Sequence, residues 1–208
     1  MQRSFLFDTL LPKMEVIGWV VAIIGLAGKW WLLAGGSMML IVGLSTLSVV
    51  YFLSTYAPAR IKEEDALSEG HRKPSAPFAA TSNAPSFLAD LLLPKVINMS
   101  SAVLLIGMLF KLMSWNGSQM MLMVGESTLF TAVILLLLNQ RMHVRALVLV
   151  VLGGLLMYIS ADDLVRQFHR NDPVLVEKMI YRNHHPRDRA AQEAVREHLR
   201  QQRDQRYN

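Results

Sequence analysis

Met38-Met39-Leu40-Ile41-Val42-Gly43-Leu44-Ser45-Thr46-Leu47 returns 82 positions later as Met120-Met121-Leu122-Met123-Val124-Gly125-Glu126-Ser127-Thr128-Leu129. The same offset relates Ser4-Phe5-Leu6-Phe7-Asp8-Thr9-Leu10-Leu11-Pro12-Lys13 to Ser86-Phe87-Leu88-Ala89-Asp90-Leu91-Leu92-Leu93-Pro94-Lys95, and positions 4–53 keep 22 identities in 50 without a gap. Shared hydrophobicity does not preserve Asp8/Asp90, Pro12/Pro94, Lys29/Lys111 and the Ser-Thr pairs in one register. A two-helix membrane unit has been duplicated.

Working outward, five apolar stretches are near the ~20 residues that cross a hydrocarbon core as helix: 14–33, 37–56, 97–115, 119–138 and 143–161. The fifth is the weakest, with 14 uninterrupted apolar or glycine residues from Ala146 to Ile159. Ala34-Gly35-Gly36-Ser37 resembles a signal-peptide cleavage site, but the stretch before it has an internal counterpart, which a signal peptide cannot have. The connections around 33–37 and 115–119 are short, uncharged and rich in turn residues, so each unit is a hairpin. Because each unit crosses twice, both enter the membrane in the same sense and are parallel repeats.

The expected fold class is all-α: a polytopic integral membrane protein of two parallel transmembrane hairpins, a fifth apolar segment and a basic helical tail. The divisions are hairpin 1 over 1–56, a flexible linker over 57–85, hairpin 2 over 86–138, the fifth segment over 139–161 and the charged tail over 162–208. Four prolines and mixed charge mark the linker. Short interfacial helices are expected at Ser4–Lys13 and Ser86–Lys95, with Pro12 and Pro94 opening the spanning helices. The tail breaks near Asp172-Pro173 and His184-His185-Pro186, and its last part reads as a solvated helix or contact arm.

Charge sets the direction. With the N-terminus inside, the cytoplasmic side holds Arg3, Lys13, Arg60, Lys62, Arg72, Lys73, Lys95, Arg141 and Arg145, against Arg166, Arg170 and Lys178 near the last span on the other side. This asymmetry gives the chain a cytoplasmic N-terminus. A full crossing by the fifth segment puts the tail outside; a re-entrant fifth segment returns it to the cytoplasm. The net charge of +5 resides in the tail and beside spans, so anionic lipid accounts for it and nucleic acid is not an expected partner. The chain has no cysteine, which excludes thiolate chemistry and disulfides.

Ionisable residues within apolar spans are the candidates for function. Lys29 and Lys111 lie about five residues before their turns, within snorkelling reach of the surface. Glu15 sits in the first turn of its span and reads as an interfacial carboxylate. Glu126 lies about nine residues past the second turn, near mid-span, where the first repeat has Leu44. It can pair with Lys111, join hydroxyls of Ser127, Thr128 or Ser100, or exchange a proton with a pathway. Gly25, Gly43, Gly107 and Gly125, with Ser127 and Thr128, are the helix-packing candidates. The methionine clusters read as adaptable packing, and His169, His184, His185 and His198 have no spacing that forces a metal site. No phosphate loop, nucleophile elbow or HExxH is present, so neither an enzyme nor a cofactor is expected.

Gly107-Met108-Leu109-Phe110-Lys111-Leu112-Met113-Ser114-Trp115-Asn116-Gly117, followed by Met121-Leu122-Met123-Val124-Gly125, resembles the GldL family, inner-membrane subunits of a gliding-motility and type IX secretion motor. The likeness covers residues 96–138 well and 14–56 more faintly. It implies a non-enzymatic subunit of a larger assembly driven by the proton motive force, forming a homo-oligomer with a single-span partner that has a large periplasmic region. Lys111 and Glu126 would be the ionisable pair. The pattern departs from the family in three ways: the family glutamate falls near Leu129, Ser114 and Asn116 replace its histidine and proline, and the family has one hairpin with a long cytoplasmic tail. The alternatives are a membrane scaffold without ion movement and, last, a small transporter lined by Asn98, Ser45, Thr46, Ser127 and Thr128.

Overall fold

The computed structural model describes residues 6–33, 35–56, 92–115, 117–138 and 144–207. The expected linker at 57–85, the stretch 86–91 and the junction 139–143 lie outside them. The described residues are helical: α1 (Leu11–Trp30), α2 (Gly36–Ser54), α3 (Leu93–Leu112), α4 (Ser118–Leu138), α5 (Val144–Tyr158), α6 (Ala161–Phe168), α7 (Pro173–His184) and α8 (Arg189–Tyr207). The fold class is the all-α, polytopic membrane architecture expected. Four helices are long and apolar enough to span, and a fifth span results if α5 and α6 count as one broken segment.

Proline opens both hairpins, since Pro12 and Pro94 stand in the first turns of α1 and α3, where the missing N–H is not needed. Ahead of α1, Leu6–Leu10 forms a π-helical turn that continues into it, with Leu10 in right-handed helical conformation. The expected separate interfacial helix is here an extension of the span.

Both first helices stop in the same way. Leu33 N–H reaches Gly28 O at 2.8 Å and Leu32 N–H reaches Lys29 O; Trp115 N–H reaches Phe110 O at 2.8 Å and Ser114 N–H reaches Lys111 O. This is a Schellman closure built on left-handed Leu32 (φ 58°) and Ser114 (φ 56°) rather than on glycine. Gly35 (φ 94°) and Gly117 (φ 83°) then turn the chain into the second helix of each hairpin.

Within each hairpin the backbones meet at glycine. A Cβ on Gly25 would strike the backbone of Leu40, and one on Gly43 that of Ala22. Gly107 meets the backbone of Leu122 and Gly125 that of Leu104 in the same manner. In lipid, where apolar side chains gain nothing by leaving solvent, such close approach is what holds helices together.

Hairpin 1 packs on hairpin 2 through α2 and α3, and α5 packs on α4 and α3. α3 therefore sits in the middle, and more of it is buried than of any other spanning helix. The core comprises Leu40, Leu44, Leu47, Leu104, Leu105, Leu122, Leu129 and Leu149. Contacts between the far ends of α1 and α3, and of α3 and α5, show that these three helices run parallel.

The fifth segment is shorter than the expected 143–161. It follows α4 back to the end where the hairpin turns lie and then bends by 87° into α6. Ser160 makes the break, because its hydroxyl accepts the Asp162 N–H and starts a new helix with Asp162 and Asp163 in its first turn.

Of the two alternatives for the end of the tail, the contact arm is the one found. The breaks fall at Asp172-Pro173 and at His185, and the three helices between and beyond them enclose a small core of Val165, Leu175, Met179 and Val195. Apolar residues are few there, but those four point into one seam. Asp172 caps α7 through the Leu175 N–H at 2.9 Å and also accepts from His198 and Gln202 of α8. The tail is thus closed on itself and seated over the turns.

Candidate functional site: the intramembrane charges

Lys29 and Lys111 do not snorkel. They are only 7% and 3% exposed, because each sits on the inner side of its helix one turn before the Schellman closure. Lys29 Nζ donates to the carbonyl of Leu112 at the end of α3, lies 3.5 Å from the Met113 sulfur and sits 4.6 Å above the ring of Phe168 in α6. Trp30 meets the same ring edge-on at 6.4 Å. Lys111 Nζ donates to the Met157 carbonyl at the end of α5, at 3.3 Å. Helix-terminal carbonyls are the negative end of the helix dipole, so a buried ammonium is well placed there. Each lysine pins its own hairpin to the next parallel helix.

Glu126 is not brought to Lys111. Its carboxylate faces α5, where a Cβ on Gly153 would collide with Oε2 and one on Gly154 would stand 3.7 Å from Oε1. The glycine pair makes a notch for the carboxylate. Oε2 is buried there, with no hydrogen-bond partner among the described residues. Beside it is an open groove of about 410 Å³, lined by Met123, Val124, Glu126, Ser127, Phe130 and Met157. Leu129, where the family glutamate falls, is fully buried in the core. Glu126 therefore lies at the edge of the bundle rather than at its centre.

Ser127 and Thr128 are exposed, and both donate to the Val124 carbonyl of their own helix, at 3.2 and 2.8 Å. They neither solvate Glu126 nor join the helix contact, which glycine makes without them. Ser100 is buried, and Ser45 and Thr46 border a separate apolar groove with Met14 and Leu53, so the hydroxyls do not converge on one cavity. Met38, Met39, Met120, Met121 and Met123 are exposed on the bundle surface rather than packed inside it.

Two polar arrangements bring together residues that the sequence did not pair. At the end opposite the turns, Glu15 accepts from Tyr51 Oη at 3.2 Å and pairs with Arg145 at 2.7 Å, which ties α1, α2 and α5 together. At the turn end, Arg182 of α7 donates to the Ser114 carbonyl at 2.6 Å, which fastens the tail to the second turn. His169 lies close by. Burial lowers its pKa below the usual histidine value, the Lys29 and Arg182 charges lower it further, and the Val165 carbonyl and Asp172 act the other way. Burial also lowers the pKa of Arg182 from its ordinary value. Asp172 ends below the usual carboxylate range: burial pushes it up, but the Leu175 N–H, His198 and Gln202 outweigh that. The histidines are spread over this cap, with His184 on Asp162 and His198 on Asp172, and among the described residues no group of three His, Asp or Glu side chains could hold a metal.

No curated protein and no solved structure matches the chain. Residues 96–143, which take in most of α3, the second turn and α4, match the family model for the GldL N-terminal domain. The chain is a multi-pass membrane protein whose second hairpin, carrying Lys111 and Glu126, is similar to the GldL N-terminal domain.

Proposed function

We propose that the chain is a non-enzymatic inner-membrane subunit of a larger assembly related to the gliding-motility and type IX secretion motor, with its N-terminus in the cytoplasm. Glu126 is its proton-exchanging group. The observation that carries this reading is a mid-span carboxylate with one oxygen buried and without a partner among the described residues, beside an open groove, on the hairpin that is similar to the GldL N-terminal domain. A carboxyl group there changes its protonation state without breaking an ion pair among the described residues. Lys111 acts as a clamp on α5 rather than as the counter-charge. The partner that this reading requires is a single-span protein with a periplasmic region, and native mass spectrometry of gently extracted membranes reports it together with the subunit number.

The test is Glu126→Gln in the parent cell. The expected result is loss of the proton-driven process, gliding or protein export, with the amount and native mass of the protein unchanged. Full activity of the variant would end the proposal. A second reading, a scaffold without ion movement, is favoured by the use of both lysines as helix pins and by the docked tail. It predicts that Arg182→Ala, which frees the tail, impairs the cell more than Glu126→Gln does.

A further inference from the structure

Each hairpin treats the next parallel helix in the same way. Lys29 of hairpin 1 donates to Leu112 at the end of α3, and Lys111 of hairpin 2 donates to Met157 at the end of α5. When Leu112 is aligned with Met157, the buried residues of α5, namely Ala146, Leu149 and Gly153, fall on Ser101, Leu104 and Met108, all buried in α3. The polar side chain that differs between the hairpins follows the same logic. Where α2 has Leu44 and α3 has Met108, α4 has Glu126 and α5 has Gly153, so a longer polar residue on one side is matched by a missing side chain on the other.

We propose that α5 is a built-in substitute for the first helix of a third hairpin. α4 presents a docking face that fits the first helix of another such unit, and α5 fills it within the same chain. The row of hairpins ends there instead of recruiting a second copy through that face. The 87° bend after Tyr158 stops α5 from turning back as the second half of a hairpin. Self-association, where it occurs, uses other faces, and the inference does not depend on whether Glu126 moves protons.

The chain lacks cysteine, so introduced thiols report without background. Met123 and Met157 line the same groove. In the full-length Met123→Cys/Met157→Cys protein, in native membranes, a short bis-maleimide is expected to link the two within one chain. A link between two chains would overturn the proposal, and so would a covalent dimer of the Met123→Cys protein alone. In the double-cysteine background, Gly153→Met should cut the intrachain product by roughly tenfold or more, because the new side chain meets the carboxylate. Adding Glu126→Leu recreates the first interface and should restore the product. Failure of the triple background to recover, with the protein still present at wild-type amount, would show that the two seats are not equivalent.

Discussion

Hairpin 1 and hairpin 2 share a register and a turn, yet hairpin 1 is wound more tightly. A Cβ on Gly25 or Gly43 would come within 2.3 or 2.4 Å of a backbone atom of the facing helix, whereas on Gly107 or Gly125 the nearest backbone atom would be 2.9 or 2.8 Å away. The reason lies on the first helix. α1 offers Gly18, Ala22, Gly25 and Gly28 along one face; the matching positions of α3 are Ser100, Leu104, Gly107 and Phe110. Leu104 holds α3 and α4 apart, and its side chain also stands 3.0 Å from where a Gly153 Cβ would be. Hairpin 1 spends its small residues on its own closure, while hairpin 2 gives up some closure to seat a further helix. Two hairpins in one register, with a few side chains changed, thus give a clamped unit and a receptive one.

The largest effect expected follows from that spacing. Gly25→Ala should cost about 3 kcal/mol and Gly107→Ala about 1 kcal/mol, since overpacking is felt in proportion to how far the backbones must part. Unfolding in mixed micelles measures both, and equal losses would break the comparison. Next come the pins. Lys29→Met should cost about 2 kcal/mol, because it removes a charge-assisted bond and the contact with Phe168, and it should raise hydrogen exchange in α6. Lys111→Met should cost about half as much and leave α6 unaffected.

Ser114→Gly should stabilise hairpin 2 by up to about 1 kcal/mol, because it relieves a left-handed non-glycine residue and removes a buried hydroxyl with no partner among the described residues. The same exchange at Leu32 should gain less, since it also deletes a half-buried side chain. The smallest change expected is with pH. The folded cap disfavours protonated His169, so the unfolded chain binds more protons and stability falls as pH drops below the ordinary histidine value near 6.5. From pH 7.5 to 5.5 the protection of α7 and α8 against hydrogen exchange, corrected for the intrinsic rate at each pH, should fall, and His169→Phe should flatten that fall. The depressed Asp172 contributes stability above its ordinary value near 3.8 and loses it only at lower pH, which separates the two groups.

Much of the fold was legible because membrane spans are a matter of length and composition. Pro12, Pro94, Gly35 and Gly117 mark starts and turns, and Gly25 and Gly43 mark contact, since in lipid small residues identify the inner face. The surroundings of Lys29, Lys111 and Glu126 were not legible. Helices that are apolar all round carry no sign of which side faces which neighbour, so reach along a hairpin pointed Lys111 at Glu126 when both turn toward α5. The tail was legible only in part, for a related reason. Its charge suggested solvation, while Val165, Leu175, Met179 and Val195, spread over three helices, close a core that no single helix displays.

The tail meets both hairpins at once, through Phe168 over Lys29 and Trp30 and through Arg182 on the Ser114 carbonyl. It is a yoke across the two turns. A force applied to α7 or α8 would load both hairpins together, in shear along parallel helices, rather than peel one helix from its neighbour. A pull at that end would therefore tilt the bundle as one body.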